Sequence, residues 1–244
     1  VQDQLTEGVQ SIYSTSEAFA ALKADGSVVA WGEKDSGGDC SKVKEQLTEG
    51  VQSIYSTNRA FAALKIDGSV VTWGRSKKYV RHSDVIVSTV IDAGDSSMVQ
   101  EQLRADVQSV YRTNGAFAAL KADGTVVVWG AGPALHPSPG DYGGDCSMVQ
   151  DQLIDVQSLR STECAFAALK VDGTVVAWGD ANYGGDCSKV QDELAGGVQS
   201  IYSTDRAFAA LKVDGGVVAW GYAGYGGDTS EVEDQLRKGV RSVY

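Results

Sequence analysis

Basic charge is scarce in this chain of 244 residues, which holds 21 lysines and arginines against 32 aspartates and glutamates, a net charge of -11. A surface so acidic has little with which to neutralise a phosphate backbone, and this argues against nucleic-acid binding. No apolar run is long enough to span a bilayer, and no basic-then-apolar signal segment occurs, which argues against direct membrane insertion. The sequence begins at Val1, and localisation is left open. Only two histidines occur, His82 and His136. Nothing fixes their spacing to each other or to a cysteine, so a metal or nucleophilic centre has no pattern to rest on. The chain reads as a non-enzyme that requires no cofactor.

Cysteine is sparse too, with four residues. Cys40, Cys146 and Cys187 share one position of a repeated GGDCS motif, where other copies carry Ser96 and Thr229. Equivalent positions in successive repeats are too far apart for a disulfide, and a slot for a small residue is the expectation. Cys164 stands alone in a turn, without an adjacent basic residue to activate it. The aspartates of the motif (Asp39, Asp95, Asp145, Asp186 and Asp228) are expected to favour helix N-termini, with a calcium-binding ring as the alternative.

What the chain has in abundance is repetition. All five phenylalanines (Phe19, Phe61, Phe117, Phe166, Phe208) sit in an identical AFAALK hexapeptide. Each is followed by an Asp-Gly pair and then by a Trp-Gly that uses all five tryptophans: Trp31, Trp73, Trp129, Trp178 and Trp220. The spacing predicts three antiparallel strands per repeat, a, b and c, with Asp-Gly as a two-residue hairpin turn between b and c. Strands b and c are apolar on both faces, so each small sheet must be covered on both sides, as in stacked blades. After each Trp-Gly a loop leads to a short helix. Ser97 with Gln100, Ser147 with Gln150, Ser188 with Gln191 and Ser230 with Glu233 have the spacing of a capping box.

The segment AFAALKADGSVVAWG, recurring in five copies, resembles the repeat of the regulator-of-chromosome-condensation β-propeller family. The resemblance covers the whole chain except two insertions. It implies an all-β propeller, and the repeats themselves, departing from that family, read as three-stranded antiparallel blades with short inter-blade helices in a single domain over 1–244. The blades fall at approximately 9–32, 51–74, 107–130, 156–179 and 198–221, with the start of a further blade at 240–244. Five complete blades fit part of a six- or seven-bladed ring, with a five-bladed ring as the alternative. The GGDC motif stands where that family usually has Gly-Gln-Leu-Gly, and no counterpart of the exchange factor's catalytic insertion is present.

Strand direction places the a–b turns and the loops leaving c at one end of the array, and the Asp-Gly turns at the other. The first end differs among copies and is the expected binding face. Two insertions mark it. Residues 75–93 hold Arg75, Lys77, Lys78 and Arg81, together with Tyr79, His82 and a strand-like run from Val85 to Ile91. Residues 131–142 hold all three prolines, Pro133 among them, and His136. These residues, with Arg59 and Arg206 of the a–b turns, are the candidate partner contacts. A basic loop on an acidic body suits an acidic protein partner; the alternative is a merely solvated excursion. The functional expectation is a protein–protein interaction scaffold. The alternatives are a peripheral accessory subunit of a large complex, membrane-bound or not, and, from the resemblance alone, a guanine-nucleotide-exchange or ubiquitin-ligase-associated module.

Overall fold

In a computed structural model of the protein, the described residues are 5–75, 93–132 and 141–243, with the backbone of 77–82 and 85–91. Five antiparallel sheets, each ordered a-b-c, follow one another along the chain. Their strands are Val9–Ser14, Ala18–Lys23 and Val28–Gly32 in the first repeat, and Val51–Ser56, Ala60–Lys65 and Val70–Gly74 in the second. The third has Val107–Arg112, Ala116–Lys121 and Val126–Gly130; the fourth has Val156–Ser161, Ala165–Lys170 and Val175–Gly179. Val198–Ser203, Ala207–Lys212 and Val217–Gly221 complete the fifth. Every strand a carries a register shift at its glutamine (Gln10, Gln52, Gln108, Gln157 and Gln199), whose side chain is exposed. Such a bulge bends the strand and increases its twist.

Alternation along strand b builds the core. Ala18, Ala20 and Leu22 face the second repeat, which answers with Val51, Ile54, Phe61, Ala63, Val71 and Trp73. Equivalent residues form the other three inter-repeat cores. The alanines let the sheets approach, and the rings fill the space: Phe61, Phe117, Phe166 and Phe208 are at most 1% exposed. Burying one such ring contributes about 2–3 kcal/mol. Phe and Trp are cross-strand partners within each blade, with ring centroids 5.1–5.4 Å apart.

Two local expectations are corrected. The Asp-Gly turn is a three-residue connection, because Lys23 donates its N–H to the Ser27 carbonyl and Gly26 donates to Lys23. Only the glycine takes positive φ, +77° at Gly26. The aspartate instead accepts both the N–H and the hydroxyl of Ser27, at 2.9 and 2.6 Å. Glycine is required there for a second reason: a Cβ at Gly26 would lie 2.7 Å from the Gly50 nitrogen, and the Gly26 carbonyl accepts the Val51 N–H. The turn therefore docks the entry of the next blade.

The capping boxes do not form. Ser41, Ser97, Ser147, Ser188 and Ser230 each donate their backbone N–H to the aspartate two residues earlier, at 2.9–3.0 Å. That carboxylate takes the serine N–H that the glutamine or glutamate of a capping box would otherwise serve. The linkers are short, such as the seven-residue 3-10 helix Ser41–Leu47 and the four-residue helices Gln191–Leu194 and Glu233–Leu236. Gln150 and Gln191 instead accept the thiols of Cys146 and Cys187, at 2.9 and 3.3 Å.

Candidate protein-interaction face

The a–b turns and the loops leaving strand c share one end of every blade. Glu33, Arg75, Ala131, Asp180 and Tyr222, the first residues after each Trp-Gly, donate N–H groups to Glu17, Arg59, Gly115, Cys164 and Arg206 of the turns. In four of the five blades a threonine at the foot of the turn ties the two together. Thr113 accepts the Ala116 N–H at 3.0 Å and donates its hydroxyl to the Tyr142 carbonyl at 2.7 Å. Thr15, Thr162 and Thr204 do the same for Ser36, Tyr183 and Tyr225. Sequence reasoning missed this staple, although threonine at that position in all five copies was its signal.

The turns are also joined to one another. Ser16 donates its N–H to Asn58, Asn58 to Asn114, Asn114 to Glu163 and Glu163 to Asp205, at 2.7–3.0 Å. This backbone ladder fixes the face as one rigid surface. A depression of about 540 Å3 lies along it, lined by Arg112, Asn114, Ser161, Glu163, Ser203 and Asp205.

In three blades the variable turn residue meets its own outer loop. Ser36 donates its hydroxyl to Glu17 at 2.7 Å. Gly115 lies under Tyr142, where a Cβ would come within 2.8 Å of the ring. The guanidinium of Arg206 is sandwiched between Tyr183 and Tyr225, 5.0 Å from each centroid, with Nε 3.6 Å from the Glu163 carboxylate. The buried Nε has no hydrogen-bond partner, so the stack and the ion pair hold this arginine in place while leaving that donor unsatisfied. Cys164, in the same turn position of the fourth blade, is buried. Burial and the Asp180 and Glu163 carboxylates push its thiol up to about 12, so it stays protonated at neutral pH. Cys40, Cys146, Cys164 and Cys187 are all free thiols.

The first insertion contains a β-hairpin. Lys77–His82 pairs antiparallel with Val85–Ile91 in a two-stranded sheet separate from the blades. The strand Lys77–His82 was not foreseen, since its four charged or imidazole residues disguise a β-segment. Gly94 donates its N–H to the Arg75 carbonyl at 2.9 Å, so the insertion leaves and rejoins the blade at one point. The Arg75 N–H in turn reaches Arg59 at 3.0 Å. The structure thus brings Arg59, Arg75 and the foot of the hairpin carrying Lys77, Lys78, Tyr79, Arg81 and His82 together on the second blade. Arg206 lies apart, on the fifth. Pro133 and His136 lie outside the described residues. Among the described residues there is no group of three or more His, Cys, Asp or Glu placed to hold a metal, and no helix long and apolar enough to cross a membrane.

Among solved structures, yeast RCC1 (Prp20) bound to Kap60 matches 87% of this chain with a TM-score of 0.51 at 17% identity. The architecture is that of an RCC1-like β-propeller. This chain matches 56% of that structure's chain, little more than half its length. Human WBSCR16 is also similar, with a TM-score of 0.49 and 17% identity over 89% of this chain and 63% of that one. No protein-family model matches the sequence, and no curated protein matches it either. Unlike a closed propeller, the array is open: Phe19 of the first blade is 46% exposed.

Proposed function

We propose that this chain is a non-enzymatic protein-interaction scaffold whose basic hairpin, rooted at Arg75 and Gly94, captures an acidic protein partner. The observation that carries the reading is the clamp at the hairpin's base. A bond of 2.9 Å holds both ends of the insertion on the rigid turn face, and the hairpin pairs with no blade. The insertion concentrates four of the chain's 21 basic residues on a body of net charge -11. Contacts of that kind steer encounter and weaken with salt. The yeast RCC1 structure holds Kap60, which fits a fold that presents a face to another protein.

Replacing residues 76–92 with Lys-Asp-Ser, the three residues that follow Glu33 in the first repeat, tests the reading. The variant is expected to melt like the parent and to lose salt-sensitive capture of acidic proteins in pull-downs. Equal capture by a folded variant removes the hairpin from the proposed site.

A further inference from the structure

Strand a ends in serine in four of the five blades, at Ser14, Ser56, Ser161 and Ser203, and in Arg112 in the third. The third blade's strand a contacts those of the second and the fourth. Arg112 therefore stands inside the array, two residues before Asn114 of the turn ladder, and it is exposed. Arg104, Arg206 and Arg237 pair with carboxylates and Arg160 donates to a carbonyl. Among the described residues, the Arg112 guanidinium has no partner of either kind.

Two depressions meet at this side chain. The smaller, about 210 Å3, is bounded by Ser14, Ser16, Ser56 and Asn58 together with Arg112. Among the described residues, none that lines it is acidic. Two backbone donors there are already taken, since Ser16 donates its N–H to Asn58 and Asn58 to Asn114. The hydroxyls of Ser14, Ser16 and Ser56 and the Asn58 amide have no protein partner among the described residues. One positive charge among neutral hydrogen-bond donors is a composition that suits an oxyanion.

The larger depression, about 540 Å3, runs from Arg112 to Glu163 and Asp205. Their carboxylates repel an anion on that side, so an acidic ligand is directed into the smaller hollow. That hollow adjoins the root of the basic hairpin. Asn58, in its wall, precedes Arg59, and the Arg75 N–H reaches the Arg59 carbonyl at 3.0 Å.

We propose that the smaller hollow is an anion site in which Arg112 and the serine hydroxyls hold the carboxylate of a glutamate or aspartate on the protein partner. This rests on the reading that the partner is acidic, and not on capture by the hairpin. A carboxylate accepts two parallel bonds from a guanidinium, and the hydroxyls serve its remaining lone pairs. At about 210 Å3 the hollow is smaller than the roughly 300 Å3 at which pockets for drug-sized ligands begin, so it suits one side-chain carboxylate.

Titration of the 15N-labelled chain with acetyl-(Glu-Ser)4-amide at low salt, followed by NMR, tests this. The Arg112 Nε and Asn58 side-chain amide signals should move with one common dissociation constant. The matching Gln-Ser peptide should leave both in place. Arg112→Ser gives the third blade the residue of the other four, so it is expected to melt like the parent and to bind roughly tenfold more weakly. Should it melt early, Arg112→Gln replaces it with the same expectations. Arg112→Lys keeps the charge without the planar fork and should recover part of the loss. In the chain whose residues 76–92 are replaced by Lys-Asp-Ser, Arg112→Ser should still weaken binding. Binding that vanishes on hairpin replacement and is untouched by Arg112→Ser would overturn the Arg112 site and leave the hairpin reading standing. An Arg112 Nε signal that stays in place, or that answers the Gln-Ser peptide equally, would overturn it as well. Inorganic phosphate that displaces the peptide at equal concentration would overturn the choice of a carboxylate.

Discussion

The indole N–H of Trp178 lies 3.0 Å from the carbonyl of Gly143, 35 residues earlier and in the preceding blade. The same bond recurs from Trp73, Trp129 and Trp220, so stability resides in the junctions as much as in the sheets. Trp178→Phe keeps most of the ring and leaves that carbonyl unpaired, and it is expected to cost about 1–3 kcal/mol. Gly184→Ala strains a left-handed residue and drives a methyl into the Phe208 ring, so a larger loss, about 3 kcal/mol, is expected. Urea denaturation of both variants measures the order.

One junction has exchanged its apolar pair for a polar one. Thr72 and Ser96 share a hydrogen bond of 2.9 Å where the fourth blade has Ala177 beside Cys187. Thr72→Ala and Ser96→Cys should each destabilise, and together should cost less than their sum by about 0.5–1.5 kcal/mol. A double-mutant cycle gives the number, and strict additivity would deny the coupling.

Asp106 and Asp155 take positive φ, 65° and 55°, at the linker position that Gly50 and Gly197 fill elsewhere. An L-residue pays for that conformation with steric crowding that glycine avoids. Asp155→Gly is therefore expected to raise stability by about 0.5–1 kcal/mol, read from the urea midpoint.

Asp25, Asp67, Asp123 and Asp172 are held below the usual carboxylate value, first by the hydroxyls of Ser27, Ser69, Thr125 and Thr174. A depressed folded pKa gives stability that is present above the unfolded value and lost as pH falls through the folded one. Melting temperature is expected to drop below about pH 4, and changing all four to asparagine should flatten that acid limb. An unchanged limb would assign acid unfolding to other groups.

Cys164 is expected to react with a thiol reagent at pH 7 only on the timescale of unfolding, because burial and neighbouring carboxylates keep it protonated. Rapid labelling in the folded state, mapped by peptide mass, would contradict this.

Much of the fold was legible because the repeat is written in large side chains. A Phe and a Trp at fixed distances from an Asp-Gly pair leave one strand register and demand a neighbour on each face. The capping boxes misled because serine and glutamine have the right spacing, while the aspartate two residues earlier is nearer to the same N–H. The site was less legible. Arg206 read as an exposed contact, since nothing local announces that Tyr183, from another blade, covers one side of its guanidinium. Variation among the turns read as a surface free to diversify, yet Glu17, Gly115 and Arg206 each match a partner in their own loop. Such pairings become visible only when the loops are brought together in space.

Indole hydrogen exchange, followed by 15N NMR, tests the junction account most directly. In the 244-residue chain, Trp73, Trp129, Trp178 and Trp220 should exchange slowly and with similar rates, while Trp31, whose half-buried ring has no indole acceptor among the described residues, should exchange orders of magnitude faster. Five indoles exchanging alike would contradict it.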